Sequence, residues 1–455
     1  MQNRYQNKSI VVVGAGKSGK ALCRFFATRQ ARVILSDNAE IIDRAGIETL
    51  PIEFDLGGHD TDLFCKSDLI VLSPGVPESI DAVQAAKQKG VPVIGEVEVA
   101  IRELVVPMIG ITGTNGKSTV TTLTGEIFQA AGKKTYIGGN IGEPMTDAVE
   151  VGAWDWVVIE LSSFQLESMQ SFKPRYSMLL NISPDHLDRY PDMAAYISAK
   201  KRLLMNQDET DFTIVNIDDP EVMKVAESGR GRLVPFSCQQ RLDEGMSYQG
   251  GEITWRWQGE EIQFSVEELR IKGLHNVANV MAAMIPALIE GVDAQKVWRA
   301  VCDFTGLPHR MNLVRMLDGV AWYDDSKGTN VGSVVMSLTG LDKPVTLIAG
   351  GKDKGGDFGL LRTAVAEKVT TLILIGEAAV RIEKEIGPVT EIIQAETLAD
   401  AVNKARRATP PGGTVLLSPG CSSFDMFSSY IDRGEQFSRL VRQLEPLKEV
   451  SNGNP

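Results

Sequence analysis

The chain has 455 residues, which exceeds what one hydrophobic core organises and indicates about three domains. Its composition, 43% hydrophobic and 23% charged, is typical of a soluble globular protein, and no run approaches the roughly 18 apolar residues that a membrane span needs. A net charge of -12 argues against a general nucleic-acid binder, although backbone N–H groups and a few lysines can still hold an anionic ligand locally.

Cysteine usage and the N-terminal segment both bear on the compartment. Residues 1–16 lack the apolar core and the small-residue cleavage site of a signal peptide. No Cys-x-x-Cys pair occurs, which predicts reduced thiols in a cytoplasmic protein rather than a disulfide framework or a zinc site. The scattered cysteines are Cys23, Cys65, Cys238, Cys302 and Cys421. Cys421 lies in a Ser/Gly-rich loop, where a packing role is favoured over a functional one.

Short apolar runs alternate with helical patterns in the first hundred residues. Strands are predicted at 10–16, 32–37, 68–75 and 91–98. Because these Val and Ile runs are continuous rather than alternating, the strands are expected to be buried on both faces, in a parallel sheet covered by helices.

The order of strand, Gly-rich turn and helix starts again at 106–119, and a third α/β region begins near Gly306. Between them, residues 233–272 alternate and turn on glycine pairs, as antiparallel hairpins do. Further strands are predicted at 154–163, 176–183, 212–219, 319–326, 344–351, 370–376 and 413–420. The tail from Glu445 is polar and is expected to fray. The sequence thus predicts three α/β domains in series, 1–95, 96–305 and 306–455.

The segment Gly14–Gly19 follows a strand and opens a helix, and Asp37 ends the next strand. Glycines allow close backbone approach to a pyrophosphate at a helix N-terminus, and the acid is placed to meet a ribose. The pattern fits the NAD of a dehydrogenase, but any diphosphate carried on a sugar fits the same geometry. A purely structural tight turn is the remaining alternative.

The segment at 113–119 is the strongest motif. Its turn, Gly113, Thr114, Asn115 and Gly116, exposes successive N–H groups, Lys117 supplies a point charge for outer phosphates, and the Ser118 hydroxyl can ligate Mg²⁺ ahead of Thr119. The general phosphate-loop pattern has a glycine five residues before Gly116, where this chain has Ile111. The sequence therefore predicts a central ATP-binding domain of the P-loop type, with a small antiparallel sheet.

Possible metal ligands follow the next two predicted strands. Glu160 ends the strand after the loop, where a carboxylate is well placed for Mg²⁺, although a solvated glutamate is common there. His186 lies in the motif Asp185–Asp188 and is a candidate ligand for a second metal. Lys200 lies in a helix, and its spacing alone favours a solvated helix face.

Several polar loops of the last third are also candidates for a site. Asn276 and Asn279 lie at i and i+3 of a helix start and share a face, with an N-cap and one exposed amide as the structural alternative. The loops 325–330, 350–356 and 418–427 each follow a predicted strand. They are expected to gather at the carboxyl edge of one sheet, where open α/β folds bind ligands.

Taken together, these motifs resemble the Mur ligase family over nearly the whole chain. The segments that carry the resemblance, in the family's order, are GTNGKST (113–119), ELSSFQLE (160–167), DHLDRY (185–190), HNxxN (275–279), GLPHR (306–310), DSKGTN (325–330) and SPGCSSFDxF (418–427). The phosphate loop and the His-Asn motif are shared across the superfamily, including folate polyglutamate synthases. SSFQLE and GLPHR are similar to the D-glutamate-adding branch, and the Asp-Asn-Pro-Arg motif of the diaminopimelate-adding branch is lacking.

The resemblance implies a Rossmann-like N-terminal domain for the UDP-linked substrate, a central ATP-binding domain and a C-terminal Rossmann-like domain for the amino acid. It implies ATP-dependent addition of D-glutamate to UDP-N-acetylmuramoyl-L-alanine through an acyl phosphate, in peptidoglycan synthesis. The implied cofactors are ATP and Mg²⁺ at two sites, and the implied partners are these small molecules only. A monomer in the cytoplasm, with neither nucleic acid nor a membrane span, is expected.

Site roles also follow from the resemblance, by matching motif positions. Lys117, His186 and Lys200 are the implied catalytic residues. Ser118 and Glu160 would hold the first Mg²⁺, and His186 and a carbamylated Lys200 the second. The ATP ligands would be residues 113–119 with Asn276, Asn279, Arg310 and Asp325. The UDP-linked substrate would contact Gly14, Gly16, Lys17, Ser18, Asp37, Ser73, Pro74, Gly75 and Asn140. D-Glutamate would contact Thr329, Lys354, Ser423 and the backbone near Phe427–Tyr430.

The sequence departs from the family pattern at a few positions. Asn312 stands where an acid is expected and Gly328 where alanine is common, while Gly420 and Ser422 replace alanines near the implied D-glutamate site. Three competing hypotheses remain at this point. They are an NAD-dependent oxidoreductase, a nucleotide-binding switch without ligase chemistry, and a related ligase that adds L-alanine, L-lysine or a polyglutamate tail.

Overall fold

Three β-sheets organise the chain in the computed structural model, which describes residues 3–186 and 189–446. Leu187 and Asp188, within the motif at 185–190, and residues 447–455 of the tail that is predicted to fray lie outside the described residues. The predicted α/β class is confirmed, because strands and helices alternate through most of the chain.

The first sheet is five-stranded. Its strands are β1 (Ser9–Val13), β2 (Arg32–Asp37), β3 (Ile52–Leu56), β4 (Leu69–Leu72) and β5 (Val93–Gly95). Its helices are α1 (Lys17–Thr28), α2 (Thr61–Lys66), α3 (Asp81–Gln88) and α4 (Glu96–Ile101). All pairings are parallel, in the order β3-β2-β1-β4-β5.

The central strand β1 shows why this sheet is parallel and buried. Its alternate residues Ile10 and Val12 enter one core with Phe25 of α1, while Val11 and Val13 enter a second core on the opposite face. A strand buried on both faces needs an apolar residue at every position, which is the continuous run that the sequence carries. The prediction of a parallel sheet covered by helices is therefore confirmed.

The predicted strand 91–98 is wrong in its second half, because the chain turns into helix α4 at Glu96. The alternating Glu-Val-Glu-Val pattern resembles a half-buried strand, yet all four side chains are buried. The buried carboxylate of Glu98 is compensated by hydrogen bonds. It accepts from the backbone N–H groups of Gln170 and Ser171, the Ser171 hydroxyl and Arg102 Nε. This carboxylate joins α4 to the segment at 170–171.

The second sheet has nine strands. They are β6 (Met108–Thr112), β7 (Thr135–Gly139), β8 (Trp156–Glu160), β9 (Tyr176–Leu179), β10 (Phe212–Asn216), β11 (Arg232–Ser237), β12 (Gly245–Gln249), β13 (Glu252–Trp257) and β14 (Glu260–Ser265). The accompanying helices are α5 (Lys117–Ala130), α6 (Met145–Val151), α7 (Ser163–Glu167), α8 (Met193–Lys201), α9 (Pro220–Ala226), α10 (Leu274–Ile289) and α11 (Ala294–Asp303), with 3₁₀ turns at Arg202–Leu204 and Val266–Glu268.

The strand order of the second sheet is β14-β13-β12-β11-β10-β9-β6-β8-β7. Strands β12, β13 and β14 pair antiparallel, as the glycine-punctuated segment predicts, while β11 pairs parallel to both neighbours. The antiparallel strands thus extend the central sheet through β11. Strand β6 lies between β8 and β9, so the segments that follow these three strands share one edge of the sheet.

The third sheet has six strands. They are β15 (Asn312–Leu317), β16 (Val320–Asp324), β17 (Val345–Gly350), β18 (Val369–Ile375), β19 (Glu391–Gln394) and β20 (Thr414–Leu417). Its helices are α12 (Val331–Thr339), α13 (Arg362–Lys368), α14 (Ala379–Ile386), α15 (Leu398–Ala408) and α16 (Tyr430–Gln443), with a 3₁₀ turn at Phe358–Leu361. The order is β15-β16-β20-β17-β18-β19, and β15 alone is antiparallel to its neighbour.

The chain divides into two compact units. The first unit comprises Met1–Asn181, Tyr196–Val266 and Ala278–Val301 and holds the first two sheets, whereas the second comprises Ile182–Ala195, Glu267–Val277 and Cys302–Pro455 and holds the third. Within the described ranges, every helix is too short or too polar to cross a membrane.

Candidate functional site

The Gly-rich loop connects the carboxyl end of β6 to the first residue of α5. Gly116 takes a left-handed conformation, with φ 83° and ψ -17°, immediately before the helix begins at Lys117. Lys117 turns back over the loop, and its Nζ donates to the carbonyl oxygens of Gly113 at 2.9 Å and Thr114 at 2.8 Å. Backbone N–H groups at a helix N-terminus and an adjacent ammonium group together form a site for phosphate oxygens.

Asn181, just beyond β9, holds this loop in shape, and the sequence analysis missed it. Its backbone carbonyl accepts from Thr114 N at 2.9 Å. Its side-chain amide exchanges two hydrogen bonds with Asn115, accepting from the backbone N–H at 2.8 Å and donating to the carbonyl at 3.0 Å. The available signal was an asparagine directly after an apolar strand, next to the strand that carries the loop.

Glu160, the last residue of β8, is 1% exposed. One carboxylate oxygen accepts from Asn140 Nδ2 at 2.8 Å, and Asn140 N donates to the Glu160 carbonyl at 2.9 Å. The other oxygen, Oε2, is buried and has no hydrogen-bond partner among the residues that the structure describes. A buried carboxylate oxygen without a donor is costly unless a cation meets it.

The oxygen atoms of Glu160 and Ser118 are suitable ligands for Mg²⁺. This hard cation prefers oxygen ligands and is usually held by one or two carboxylates together with phosphate oxygens and water. Glu160 Oε2 offers the carboxylate, and Ser118 lies in the first turn of α5, at the same sheet edge, and is 4% exposed. No group of three or more His, Cys, Asp or Glu side chains arranged for a metal occurs within residues 3–186 and 189–446.

Lys200 is 1% exposed, so the solvated helix face that its spacing favours is wrong. Its Nζ donates to the Gly113 carbonyl at 2.9 Å and to Thr112 Oγ1 at 3.4 Å, and it lies 4.7 Å from the centre of the Tyr196 ring. The same Gly113 carbonyl accepts from Lys117 Nζ. Two ammonium groups therefore converge on one neutral oxygen beside the phosphate loop.

The residues outside the phosphate loop that are predicted to contact ATP fall in different units. In the first unit, Asn279 lies against the loop, since a Cβ built on Gly116 would be 2.4 Å from its Oδ1. In the second, Asn276 lies inside α10 and donates to the Lys272 carbonyl at 2.9 Å, so the alternative of an N-cap is wrong. The Arg310 charge acts on nearby groups of that unit: it adds to burial in lowering the pKa of His275 and opposes the burial that raises the pKa of Asp325 to about 6.

His186 also belongs to the second unit, where its neighbour Asp185 accepts several hydrogen bonds. Asp185 accepts from Lys354 Nζ at 3.2 Å, from Asn330 Nδ2 at 3.1 Å and from the His186 backbone N–H at 3.0 Å. His186 Nε2 lies 3.8 Å from Asp185 Oδ2, and the His186 side chain is 32% exposed. The pairing of His186 with Lys200 at a second metal stays a prediction.

The three loops predicted to gather at the carboxyl edge of the third sheet do so, and this prediction is confirmed. Gly420 N donates to the Gly328 carbonyl and Gly350 N to the Pro419 carbonyl, each at 2.8 Å. Lys352 and Ser422 exchange backbone hydrogen bonds at 3.0 and 3.1 Å. The residues predicted for D-glutamate lie on these loops: Ser423 is 2% exposed, Thr329 is half-buried, and Lys354 pairs with Asp185.

The structure explains why this chain has glycine rather than alanine at position 328. Asp325 accepts from the hydroxyls of Ser418 and Ser337, each at 2.7 Å, and a Cβ on Gly328 would lie 2.6 Å from Ser418 Oγ and 2.7 Å from Asp325 Oδ2. Cys421, beside this network, is 1% exposed and packs in the core, which confirms the packing role. At another departure, Asn312 Oδ1 accepts from Arg310 N at 3.1 Å.

The N-terminal loop follows β1 and opens α1, as the sequence predicts. Gly14 has φ 95°, and its carbonyl accepts from Ser73 Oγ at 3.0 Å. A Cβ on Gly19 would lie 1.8 Å from that carbonyl, so α1 can approach the loop only with glycine there. Asp37 receives the backbone N–H of Ala15 at 2.7 Å and that of Ala39 at 2.9 Å, so its carboxylate braces the loop.

The rim of this loop is open. Gly16 and Lys17 are exposed and Ser18 is half-buried, while Lys17 Nζ pairs with Glu143 at 2.8 Å. Ser73, Pro74 and Gly75 form the turn after β4, in which Val76 N donates to the Ser73 carbonyl. The carboxyl ends of β1 and β4 are adjacent, so both turns lie at one edge of the sheet, the edge at which open α/β folds bind ligands.

Comparison with known proteins covers most of the chain. Family models match residues 8–95 ("Mur ligase MurD-like, N-terminal domain"), 111–287 ("Mur ligase middle domain") and 309–421 ("Mur ligase, glutamate ligase domain"). A UDP-N-acetylmuramoylalanine–D-glutamate ligase of Syntrophotalea carbinolica is 54% identical over 444 residues, 97% of this chain and 99% of the relative. A protein of the same name from Geotalea uraniireducens is 50% identical over 96% of this chain and 98% of its own length.

Among solved structures, the UDP-N-acetylmuramate–alanine ligase of Thermotoga maritima aligns with a TM-score of 0.60 at 19% identity. The alignment covers 96% of this chain and 99% of that one. At this identity the likeness concerns the fold, and it extends to the serial arrangement of three α/β regions.

Proposed function

The chain belongs to the Mur ligase family, and from that premise we propose that it is an ATP-dependent ligase that joins D-glutamate to UDP-N-acetylmuramoyl-L-alanine. The observation that carries the proposal is the sequence identity, 54% and 50% over nearly the full length, with relatives named for this activity. The phosphate loop, the buried Glu160 and the gathered loops of the third sheet supply sites for its chemistry.

The reaction must activate a carboxylate, which by itself is a poor acyl donor. A terminal carboxylate oxygen of UDP-N-acetylmuramoyl-L-alanine bonds to the γ-phosphorus of ATP, the bond to the β–γ bridging oxygen breaks, and ADP leaves. The uncharged amine of D-glutamate then adds to the acyl carbon of the acyl phosphate. The tetrahedral adduct expels inorganic phosphate and loses the amine proton, which leaves the amide.

The phosphate loop and its helix hold the ATP phosphates in this proposal. Loop N–H groups of Gly113–Gly116 and the N-terminus of α5 face the phosphate oxygens, and Lys117 leaves the loop carbonyls to meet them. Glu160 and Ser118 would hold Mg²⁺, which would supply positive charge to the transferred phosphoryl group. Asn276, Asn279, Arg310 and Asp325 supply further contacts to ATP.

We also assign the two remaining substrates to the sites that the motifs indicate. The UDP portion lies on the turns of the first sheet, at Gly14, Gly16–Ser18, Asp37 and Ser73–Gly75, with Asn140 on the path of the acyl group. D-Glutamate binds at Thr329, Lys354 and Ser423. The proposed division of the chain is 1–95, 96–305 and 306–455, in a monomer that acts in the cytoplasm.

Carbamylation of Lys200 is part of the proposal. The Lys200 ammonium group first loses a proton, and the resulting amine adds to CO₂ with loss of a second proton, which forms an N–C bond and replaces a cation by a carboxylate. Coulomb repulsion supports this change, because Lys200 and Lys117 both donate to the Gly113 carbonyl at 2.9 Å. The carbamate and His186 would then serve a second metal.

The decisive assay is phosphate release from ATP in the presence of UDP-N-acetylmuramoyl-L-alanine, with D-Glu, L-Glu, L-Lys and D-Ala compared as acceptors. Selective turnover with D-Glu is expected. Equal or faster turnover with another acceptor would overturn the assignment, and slow hydrolysis that ignores both substrates would favour a nucleotide switch. Binding of NADH in place of the UDP-linked substrate would favour the oxidoreductase.

Replacing Gly116 by alanine tests the phosphate loop. We expect both Gly116→Ala and the control Gly132→Ala to lose about 1 kcal/mol of unfolding free energy, because each glycine has a left-handed φ, 83° and 81°. Only at Gly116 does the added Cβ meet a neighbour, Asn279 Oδ1 at 2.4 Å, whereas Gly132 has open space. ATP affinity measured by calorimetry should fall about tenfold for Gly116→Ala alone. Equal affinity of the two variants would contradict the assignment.

A further inference from the structure

Arg433 is a fully buried cation beneath the gathered loops of the third sheet. It lies in the first turn of α16 with 0% exposure. Its Nε donates to Ser326 Oγ and its Nη2 to the Ser326 carbonyl, both at 2.9 Å. Its Nη1 and Nη2 also reach the Cys421 carbonyl at 3.3 and 3.2 Å, and Nη1 reaches the Ser422 carbonyl at 3.3 Å. One guanidinium therefore ties the loop at 325–330 to the loop at 418–427.

These acceptors are all uncharged. Within the described residues, no carboxylate accepts a hydrogen bond from Arg433, while Asp425, Asp324 and Asp325 act on it only through their charges. Burial lowers the pKa of Arg433 to about 10, so the side chain keeps its charge at neutral pH. Its place in the first turn adds a further cost, because the amino end of a helix disfavours cations. Helix stability therefore does not explain a cation at this position.

The loop at 350–356 also packs against the Arg433 side chain. Lys352 and Ser422 are joined by two backbone hydrogen bonds. A Cβ on Gly351 would lie 3.2 Å from Arg433 Nη1 and 2.4 Å from the Ser422 carbonyl, so glycine permits this close approach. The loops that meet around Arg433 are those that carry Thr329, Lys354 and Ser423.

We propose that Arg433 is a positioning residue for D-glutamate, which holds the three loops in register and places a buried positive charge, hydrogen-bonded to uncharged acceptors, beneath the proposed site of a dicarboxylate. The inference rests on the proposed function. A desolvated cation attracts an anion more strongly than an exposed one, because the surrounding dielectric is low. The charge acts through the loops, and Arg433 itself does not touch the substrate.

Three variants separate charge from packing: Arg433→Lys, Arg433→Met and, as a matched control, Arg439→Met at an exposed arginine of the same helix. In steady-state assays we expect the KM for D-glutamate to rise about tenfold or more in Arg433→Met and less than about threefold in Arg433→Lys. The KM for ATP should change less than about twofold in all three, and Arg439→Met should match the parent enzyme.

A binding measurement keeps the test valid if Arg433→Met is unstable. The thermal shift that saturating D-glutamate produces in Arg433→Lys, in the presence of ADP and the UDP-linked substrate, should be close to that of the parent. Equal losses of kcat in Arg433→Lys and Arg433→Met, with an unchanged KM for D-glutamate, would overturn the inference in favour of packing alone. Absence of D-glutamate turnover in the parent enzyme would instead refute the proposed function.

Discussion

Replacement of Lys200 by alanine is expected to lower ligase turnover by a factor of about 10² to 10³. The side chain is 1% exposed and donates to the Gly113 carbonyl at 2.9 Å, so its removal takes a charge and a contact from the phosphate loop itself. If Lys200 acts as a carbamate, short carboxylic acids such as acetate or formate will enter the vacated space and restore part of the activity. Phosphate release with and without added acid measures both effects.

The matched control is Lys201→Ala, an exposed lysine at the next position of the same helix. It should retain parental activity and show no response to the acids. Unchanged activity in Lys200→Ala would refute a catalytic role for Lys200. A loss of activity that no acid restores would speak against the carbamate and leave Lys200 as a support of the loop.

Glu160→Gln is expected to lower turnover by about two orders of magnitude and to raise the Mg²⁺ concentration needed for half-maximal rate. Glutamine keeps the shape and the acceptor for Asn140 Nδ2 but removes the anionic Oε2, which is buried without a hydrogen-bond partner in the described part of the chain. Because that oxygen carries an unpaired charge in the unliganded protein, the unfolding free energy should change by less than about 1 kcal/mol or should rise.

Glu98→Gln is the matched control, because Glu98 is 0% exposed and accepts hydrogen bonds from Gln170, Ser171 and Arg102. Removal of its charge should lower the unfolding free energy by about 1–3 kcal/mol while the Mg²⁺ dependence stays unchanged. Two buried glutamates thus have opposite expected signatures. If Glu160→Gln destabilised the protein and left the Mg²⁺ response intact, its carboxylate would be structural.

The sequence predicts the interior of each sheet better than its edges. The strands that it missed, β3, β7, β15 and β19, all lie at the edge of a sheet. In the short edge strand β19, for example, the two inner residues are half-buried and the two outer ones are exposed. This strand has no continuous apolar run. Edge strands are specified by pairing with a neighbour that is distant in sequence, and periodicity does not register that pairing.

For the candidate site, motifs predicted the loops but not the residues that hold them. Asn181 and Arg433 lie outside every motif, and their roles follow from contacts over 66 and 107 positions, with Asn115 and Ser326 respectively. The spacing of Lys200 alone favoured a solvated helix face, yet its Nζ lies 4.7 Å from the centre of the Tyr196 ring, one turn earlier in α8. The burial of a polar side chain depends on tertiary neighbours, which one sequence does not display.

The folded-back Lys117 has a consequence for the end of the catalytic cycle. Its ammonium group rests on the Gly113 and Thr114 carbonyls, so the loop carries acceptors of its own that compete with those of a nucleotide. Binding exchanges one set of oxygens for the other, and the net gain in free energy is only their difference. In the proposed ATP site, Lys117 would return to these carbonyls when ADP departs. The exchange that limits the net gain on binding would then favour release of the product.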